Sequence, residues 1–374
     1  MKESTYCHCT TTNNINGKKT VVFILVIALL LFFSACGSDS SGAGLENTKV
    51  VSDCLGREVH IPEKPENVTV LYASTAHMMA MLDEGEKIVA APRGVKSDEL
   101  MIMKYPDITH VPTPAEENSI NIEELANLNT DLALIRRSTF ENEGETEKLD
   151  KLNIPYLVVD YESIAELKEA VLVMGQVFDK NDRASEYIDF LEKTIDMVVD
   201  NIADVSKADY PNVYHSVNEA IRTDSDNDIC MEIMELSGVK NAASGKNLNS
   251  EDNKNYTTLE EIYNWEPYAI IANEYSVTEY ILSDSKWSGL SCVKSGRVYT
   301  LPVGATRWCH PGSMEVHMGV LAVADMFHPN EMGEIDMKEY TKDYYKEFFD
   351  LELEDELIEK ILSGKGMRLS NSPG

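Results

Sequence analysis

The sequence predicts an α/β protein: two doubly wound lobes joined by a long interlobe helix. Three observations predict it. From residue 67 short apolar runs alternate with amphipathic stretches; residues 163–203 hold about 40 residues of helical pattern with little loop; from residue 212 the alternation restarts. Strands alternating with helices imply parallel sheets covered on both faces.

In the first lobe, 67–73 (NVTVLYA) reads as a buried strand. Ser74 or Thr75 is placed to cap the next helix, and Gly85 to end it. Residues 87–92, 131–135 (DLALI) and 155–160 (PYLVVD) supply three more strands, with a short helix at 121–129. Ser163 and Glu166 form a capping box that opens a helix to about Phe178. A second helix runs from about Asp182 to Ala203, with Ile188, Leu191, Ile195, Val198 and Ile202 as its apolar stripe. The second lobe repeats the scheme: strands at 212–217, 268–273 and 297–302, helices at 228–236, 257–264 and 313–327, and an amphipathic tail at 338–363. One echo links the lobes. Residues 122–127 read IEELAN and 259–264 read LEEIYN, an offset of 137, and each precedes an apolar strand.

The amino terminus has the order of an export signal. Lys2, Lys18 and Lys19 precede 13 apolar residues, 21–33, and then Ser34, Ala35 and Cys36. As a helix the apolar run reaches roughly 20 Å, short of a hydrocarbon core of about 30 Å. The ending Phe33-Ser34-Ala35-Cys36 resembles the lipobox of bacterial lipoproteins, which implies an acylated Cys36 on the outer face of the cell membrane. Phe33 stands where that pattern usually has Leu. Residues 37–48, small and polar, read as a tether. The division expected is 1–35 signal, 36–49 tether, 50–163 first lobe, 164–205 helical connection and 206–374 second lobe with the C-terminal helices.

Net charge is -31, a field that repels phosphate and argues against a general nucleic-acid binder. No P-loop, G-x-G-x-x-G, G-x-S-x-G or H-E-x-x-H motif is present. Beyond Cys36, Cys54, Cys230, Cys292 and Cys309 show no zinc-ribbon or C-x-x-C spacing; disulfides and free thiols both fit.

Three segments taken in order resemble the periplasmic-binding-protein family that serves ABC importers of iron-siderophore, haem and cobalamin. They are 53–74 (DCLGREVHIPEKPENVTVLYAS), the pair 120–135 and 257–272, and 287–302 (WSGLSCVKSGRVYTLP) with the following Trp308. The resemblance implies a ligand cleft between the lobes, and permease and ATPase subunits as partners. It implies a monomer with no catalytic role and no resident cofactor. It also places Glu123 and Glu260 as the carboxylates that dock into Arg pockets of the permease. Acids in a first helical turn also simply complement the helix dipole.

A ferric siderophore is the ligand expected, because an anionic chelate with flat arms calls for cations and aromatic rings. Candidates lie at strand ends: Tyr72, Ser74, Arg93, Arg136 and Arg137 in the first lobe; Tyr214, His215, Arg222, Tyr275, Arg307, Trp308 and His310 in the second. Haem or cobalamin is the alternative cargo, with His77 and Met78 as possible iron ligands. An exported metalloenzyme using His310 and His317, or a signalling module, is the reading from a different class.

Overall fold

A computed structural model describes residues 47–116, 119–224, 226, 228–251 and 254–367. The signal and Cys36 lie outside the described residues. An antiparallel hairpin, β1 (Thr48–Ser52) and β2 (Glu58–Pro62), opens the chain. The first lobe's sheet follows: β3 (Val68–Val70), β4 (Ile88–Ala90), β5 (Leu132–Ile135) and β6 (Tyr156–Val158). The second lobe's sheet is β7 (Asn212–Ser216), β8 (Lys240–Asn241), β9 (Ala269–Ala272) and β10 (Val298–Thr300). All pairings within both sheets are parallel, and the spatial orders are β4-β3-β5-β6 and β8-β7-β9-β10. The two lobes therefore share one topology.

Why these runs are strands is visible in what they bury. Parallel sheets are covered on both faces, so their strands read as unbroken apolar runs. In β5, Leu132 and Leu134 enter a central core while Ala133 and Ile135 enter a smaller cluster on the other face. In β9, Ala269 and Ile271 enter that same central core, and Ile270 and Ala272 enter the second lobe's own outer cluster. The period of two distributes each strand between a shared core and a private one.

Helix α1 (Ala73–Met81) follows β3, and α2 (Ile122–Ala126) precedes β5 with Asn121 as its N-cap. The connection between lobes is two helices, α3 (Ile164–Phe178) and α4 (Asn181–Asn201), broken at Asp179, whose φ is 56°. Ser163 caps α3 by accepting from the Glu166 amide at 3.1 Å. Gly175 lets the two helices touch: a side-chain carbon there would lie 2.8 Å from the Ala184 Cβ. At 21 residues α4 is the long element, about 30 Å by helical rise. Its buried stripe includes Tyr187 and Thr194 beside Leu191 and Val198, with Ile188 and Ile195 only half-buried. The stripe is turned because both hydroxyls find acceptors, Tyr187 on the Met314 carbonyl and Thr194 on the Phe190 carbonyl.

Beyond β7 lie α5 (Ile229–Leu236), α6 (Leu259–Trp265), which precedes β9, α7 (Val316–Phe327) and α8 (Met337–Phe349). Helix α7 starts later than the sequence predicts: Ser313 accepts from the Glu315 amide, and the Glu315 carboxylate turns inward to Thr306 and Tyr345. Neither Ser74 nor Thr75 caps α1; Ser74 bonds the Tyr161 hydroxyl at 2.7 Å instead. The tail reaches both lobes. The Glu99 amide donates to the Met367 carbonyl, Lys104 to the Phe349 carbonyl, and the Val303 amide to the Ile361 carbonyl.

His317 on α7 sits wholly buried among Tyr187, Phe190 and Tyr344, with ring centroids 5.1–5.9 Å away. Neither ring nitrogen has a hydrogen-bond partner. Burial pushes its pKa down to about 3 from 6.5. The unfolded chain therefore takes up this proton first, and stability is lost as pH falls from 6.5 toward 3. His317→Phe should flatten that limb: relative to wild type it should gain about 2 kcal/mol between pH 7.5 and pH 5, read from urea unfolding at the two pH values. A second prediction concerns Asp53, 4% exposed, which accepts from the Leu55, Arg57 and Val158 amides and from the Arg57 guanidinium. It ties the hairpin to β6, and Asp53→Ala should cost about 3 kcal/mol, read as a lower urea midpoint.

Candidate functional site between the lobes

The carboxyl ends of both sheets face one cleft, the position where open α/β sheets bind ligands. A cavity of about 170 Å³ lies there, lined by Tyr72, Ser74, His77 and Asp98 from one lobe and by Thr306, Arg307, His310 and Ser313 from the other. Each side chain is placed by a strand end or the turn after it: Tyr72 follows β3, and 305–313 follow β10. The lobes meet closely. Gly312 has φ +80°, and any side chain there would run into the Tyr72 hydroxyl.

Burial pushes the Tyr72 phenol well above its usual range, so it is a neutral donor. Burial, then the Arg307 charge, pushes the His310 pKa down to about 3. Its Nδ1 lies 2.6 Å from the Pro311 carbonyl, which makes Nδ1 the protonated nitrogen of a neutral ring. Arg307 Nε donates to Glu274 at 2.6 Å. Burial raises the Asp160 carboxyl, although the Arg137 and Tyr161 amides both donate to it at 2.9 Å. Arg136 is within electrostatic reach of Tyr72 and Asp160, and Arg222 of His310. The cleft thus brings Arg136, Arg222 and Arg307 together with the neutral Tyr72 and His310, with Asp98, Asp160 and Glu274 as the acids beside them.

The structure sorts the residues chosen from sequence. Tyr72, Ser74, Arg307 and His310 come together on the cavity wall. Arg136, Arg137 and Arg222 are half-buried beside it, and Arg93 is exposed at the start of a short helix. Tyr275 is half-buried, with Lys365 over its ring at 5.0 Å. Tyr214, His215 and Trp308 leave the set, because all three are 0% exposed. Tyr214 and His215 lie on an interior strand covered on both faces, and Trp308 turns into the central core. His77 lines the cavity and bonds Asp98 at 2.8 Å, but Met78 is buried in the core, off the cavity wall. His310 and His317 do not share a site: one lines the cleft, the other is enclosed by aromatic rings.

Sequence reasoning missed Asp98, Thr306 and Ser313 on the wall, and Asn218 and Asn273 at the ends of neighbouring strands. The Asn218 amide donates to Asn273 Oδ1 at 2.7 Å, and Asn218 itself sits at φ 63°. A short polar residue just past a buried strand is the signal that marks such positions. A larger cavity, about 1000 Å³, lies elsewhere. It is an open groove along the edge strand β8, lined by charges of both signs such as Lys207, Glu232 and Lys240. It takes in Asn212 and Lys240 at the starts of β7 and β8, with Glu162 and Ser163 across from them.

Glu123 and Glu260 are exposed in the first turns of α2 and α6. Those helices precede β5 and β9, the strands that hold the same place in the two sheets. The sequence echo is thus a structural equivalence.

Comparison with known proteins agrees with this architecture. A family model described as "Periplasmic binding protein" matches residues 68–303. The molybdate-binding protein MolA of Haemophilus influenzae is 22% identical, covering 80% of this chain and 91% of MolA. Its solved structure with molybdate superposes with a TM-score of 0.73 over 82% of this chain and 99% of that one. A periplasmic solute-binding protein of Veillonella parvula gives 0.72 at 21% identity, over 85% and 97% of the two chains. YfiY of Bacillus subtilis, a probable siderophore-binding lipoprotein, is 26% identical over 50% of this chain and 56% of its own. With the family model spanning both sheets and more than half of the sequence, the chain belongs to the periplasmic binding protein family.

Proposed function

We propose that this chain, a substrate-binding component of an ABC importer, captures a small, multiply charged oxyanion of the molybdate class. The observation that carries the reading is the size and character of the cleft cavity. At about 170 Å³ it is below the roughly 300–1,000 Å³ of sites for drug-sized ligands. Its wall offers the Tyr72 hydroxyl and the Arg307 guanidinium beside Glu274, while the Thr306 hydroxyl donates to Glu315 and bonds Ser313. Hydrogen bonds from several fixed donors suit a compact anion. The likeness to MolA supports the same class. A ferric siderophore is the second reading, favoured by the likeness to YfiY; it requires the lobes to stand further apart than they do here.

Cys36 would carry the lipid that holds the receptor at the membrane surface. Glu123 and Glu260, in equivalent positions on the two lobes, would seat the loaded protein on the permease.

Calorimetric titration of the chain from residue 37 onward, with molybdate, tungstate, sulfate and a ferric hydroxamate, tests the cargo. Saturable molybdate or tungstate binding is expected, and Arg307→Ala should weaken it at least tenfold, about 1.4 kcal/mol or more. Binding of the hydroxamate with silence toward all oxyanions would move the assignment to the second reading. Oxyanion binding that ignores Arg307→Ala would take the ligand out of this cleft. For docking, Glu123→Lys with Glu260→Lys should leave cargo affinity unchanged and abolish cargo-stimulated ATP hydrolysis by the reconstituted importer; full stimulation by the double variant would remove the docking role.

A further inference from the structure

Behind the cleft wall of the second lobe, a strand, a helix and a loop bring an imidazole and two thiols together, beside the carboxylates of Asp224 and Asp228. His215 comes from β7, Cys230 from the first turn of α5 and Cys309 from the loop after β10. Their ligand atoms all lie within 4.8 Å of one another. Asp224, Asp228 and Cys230 form a second, overlapping group on the same criterion of distance. His215, Cys230 and Cys309 are each 0% exposed, and Asp224 is 3% exposed. All four described cysteines are free thiols, so Cys230 and Cys309 are not joined.

The hydrogen bonding around this cluster is lopsided. His215 Nδ1 lies 2.6 Å from Asp224 Oδ2, and that oxygen also accepts from Asn241 Nδ2 at 3.3 Å. His215 Nε2 and Asp224 Oδ1 are buried with no hydrogen-bond partner. A buried polar atom left unpaired costs about 1–3 kcal/mol, so two together call for a ligand. An imidazole oriented by a carboxylate at one nitrogen, with the other nitrogen left over, is the usual arrangement at metal-binding histidines. Two sulfurs and one imidazole form a borderline-soft donor set, suited to zinc. With bond lengths of about 2.0–2.3 Å, ligand atoms around a tetrahedral zinc are roughly 3.3–3.8 Å apart, a small contraction of the cluster seen here.

We propose that His215 Nε2, Cys230 Sγ and Cys309 Sγ bind a zinc-class divalent cation, with Asp224 orienting the imidazole and Asp228 available as fourth ligand. The ion is structural rather than cargo: the cluster is closed off from the cleft by its burial. Binding releases the two thiol protons to solvent and forms two metal–thiolate bonds, with no change of oxidation state. Cys309 lies between Trp308 in the core and His310 on the cavity wall. The ion therefore fastens the cleft loop to β7 and α5.

The test is titration of the reduced, chelator-stripped chain from residue 37 with Co²⁺, followed by Zn²⁺. One equivalent of cobalt should give a thiolate-to-metal charge-transfer band and tetrahedral d–d bands, both erased by zinc. Cys230→Ser and Cys309→Ser should each remove most of the charge-transfer intensity. Asp224→Asn should keep the bands and weaken binding 10–100-fold. Should a serine variant fail to fold, protection of the wild-type thiols from alkylation by one equivalent of Zn²⁺ gives the same information. Absence of the charge-transfer band, its survival in both serine variants, unprotected thiols, or isolation of the protein with a Cys230–Cys309 disulfide would each overturn the proposal.

Discussion

The structure rests on one constraint: two parallel sheets must cover four faces, and two of those faces share a single apolar core. Leu132 and Leu134 from β5 meet the same core as Ala269 and Ile271 from β9. Tyr187 and Leu191 of α4, the apolar face of α7 and the Tyr344–Phe349 end of α8 fill the space between. Burial of side chains of this kind contributes about 1.5–3 kcal/mol each, so separating the lobes through this seam would expose many of them at once. The cleft lies where the seam stops and polar strand ends begin.

The same arrangement sets the cleft apart from the acidic surface. The acidic residues are spread over a solvated surface, where charges further apart than about 10 Å are screened. The cleft is governed by its own few groups: Arg307 beside Glu274, a neutral His310, and Tyr72 kept protonated by burial. Inside a low-dielectric wall these near groups outweigh a distant negative field. The neutral imidazole adds no charge of its own; it contributes shape and a hydrogen-bonding edge.

The fold was legible in the sequence because doubly covered strands leave uninterrupted apolar runs, and LALI and AIIA are buried at every position. The echo between IEELAN and LEEIYN was legible for the same reason: each precedes the strand third in chain order within its sheet. The site was less so. Tyr214, His215 and Trp308 are polar or aromatic residues near strand ends, as Tyr72 and Arg307 are. Which way each points depends on the pleat and on loop geometry, and those are fixed only when both faces of the sheet are packed. The His215–Cys230–Cys309 cluster left no trace in spacing, since its members come from a strand, a helix and a loop far apart in the chain. Ser74 shows the same limit on a smaller scale. It has the chemistry of a helix cap, yet a buried tyrosine hydroxyl from another strand end claims it.

The central claim is that ligand is held between the lobes, at the strand ends that the shared core brings together. Hydrogen–deuterium exchange with and without saturating molybdate tests it most directly. The account predicts added protection in two segments at once, 72–77 of the first lobe and 305–313 of the second, with the groove along β8 unchanged. Protection confined to one lobe, or centred on the groove lined by Lys207 and Lys240, would contradict it.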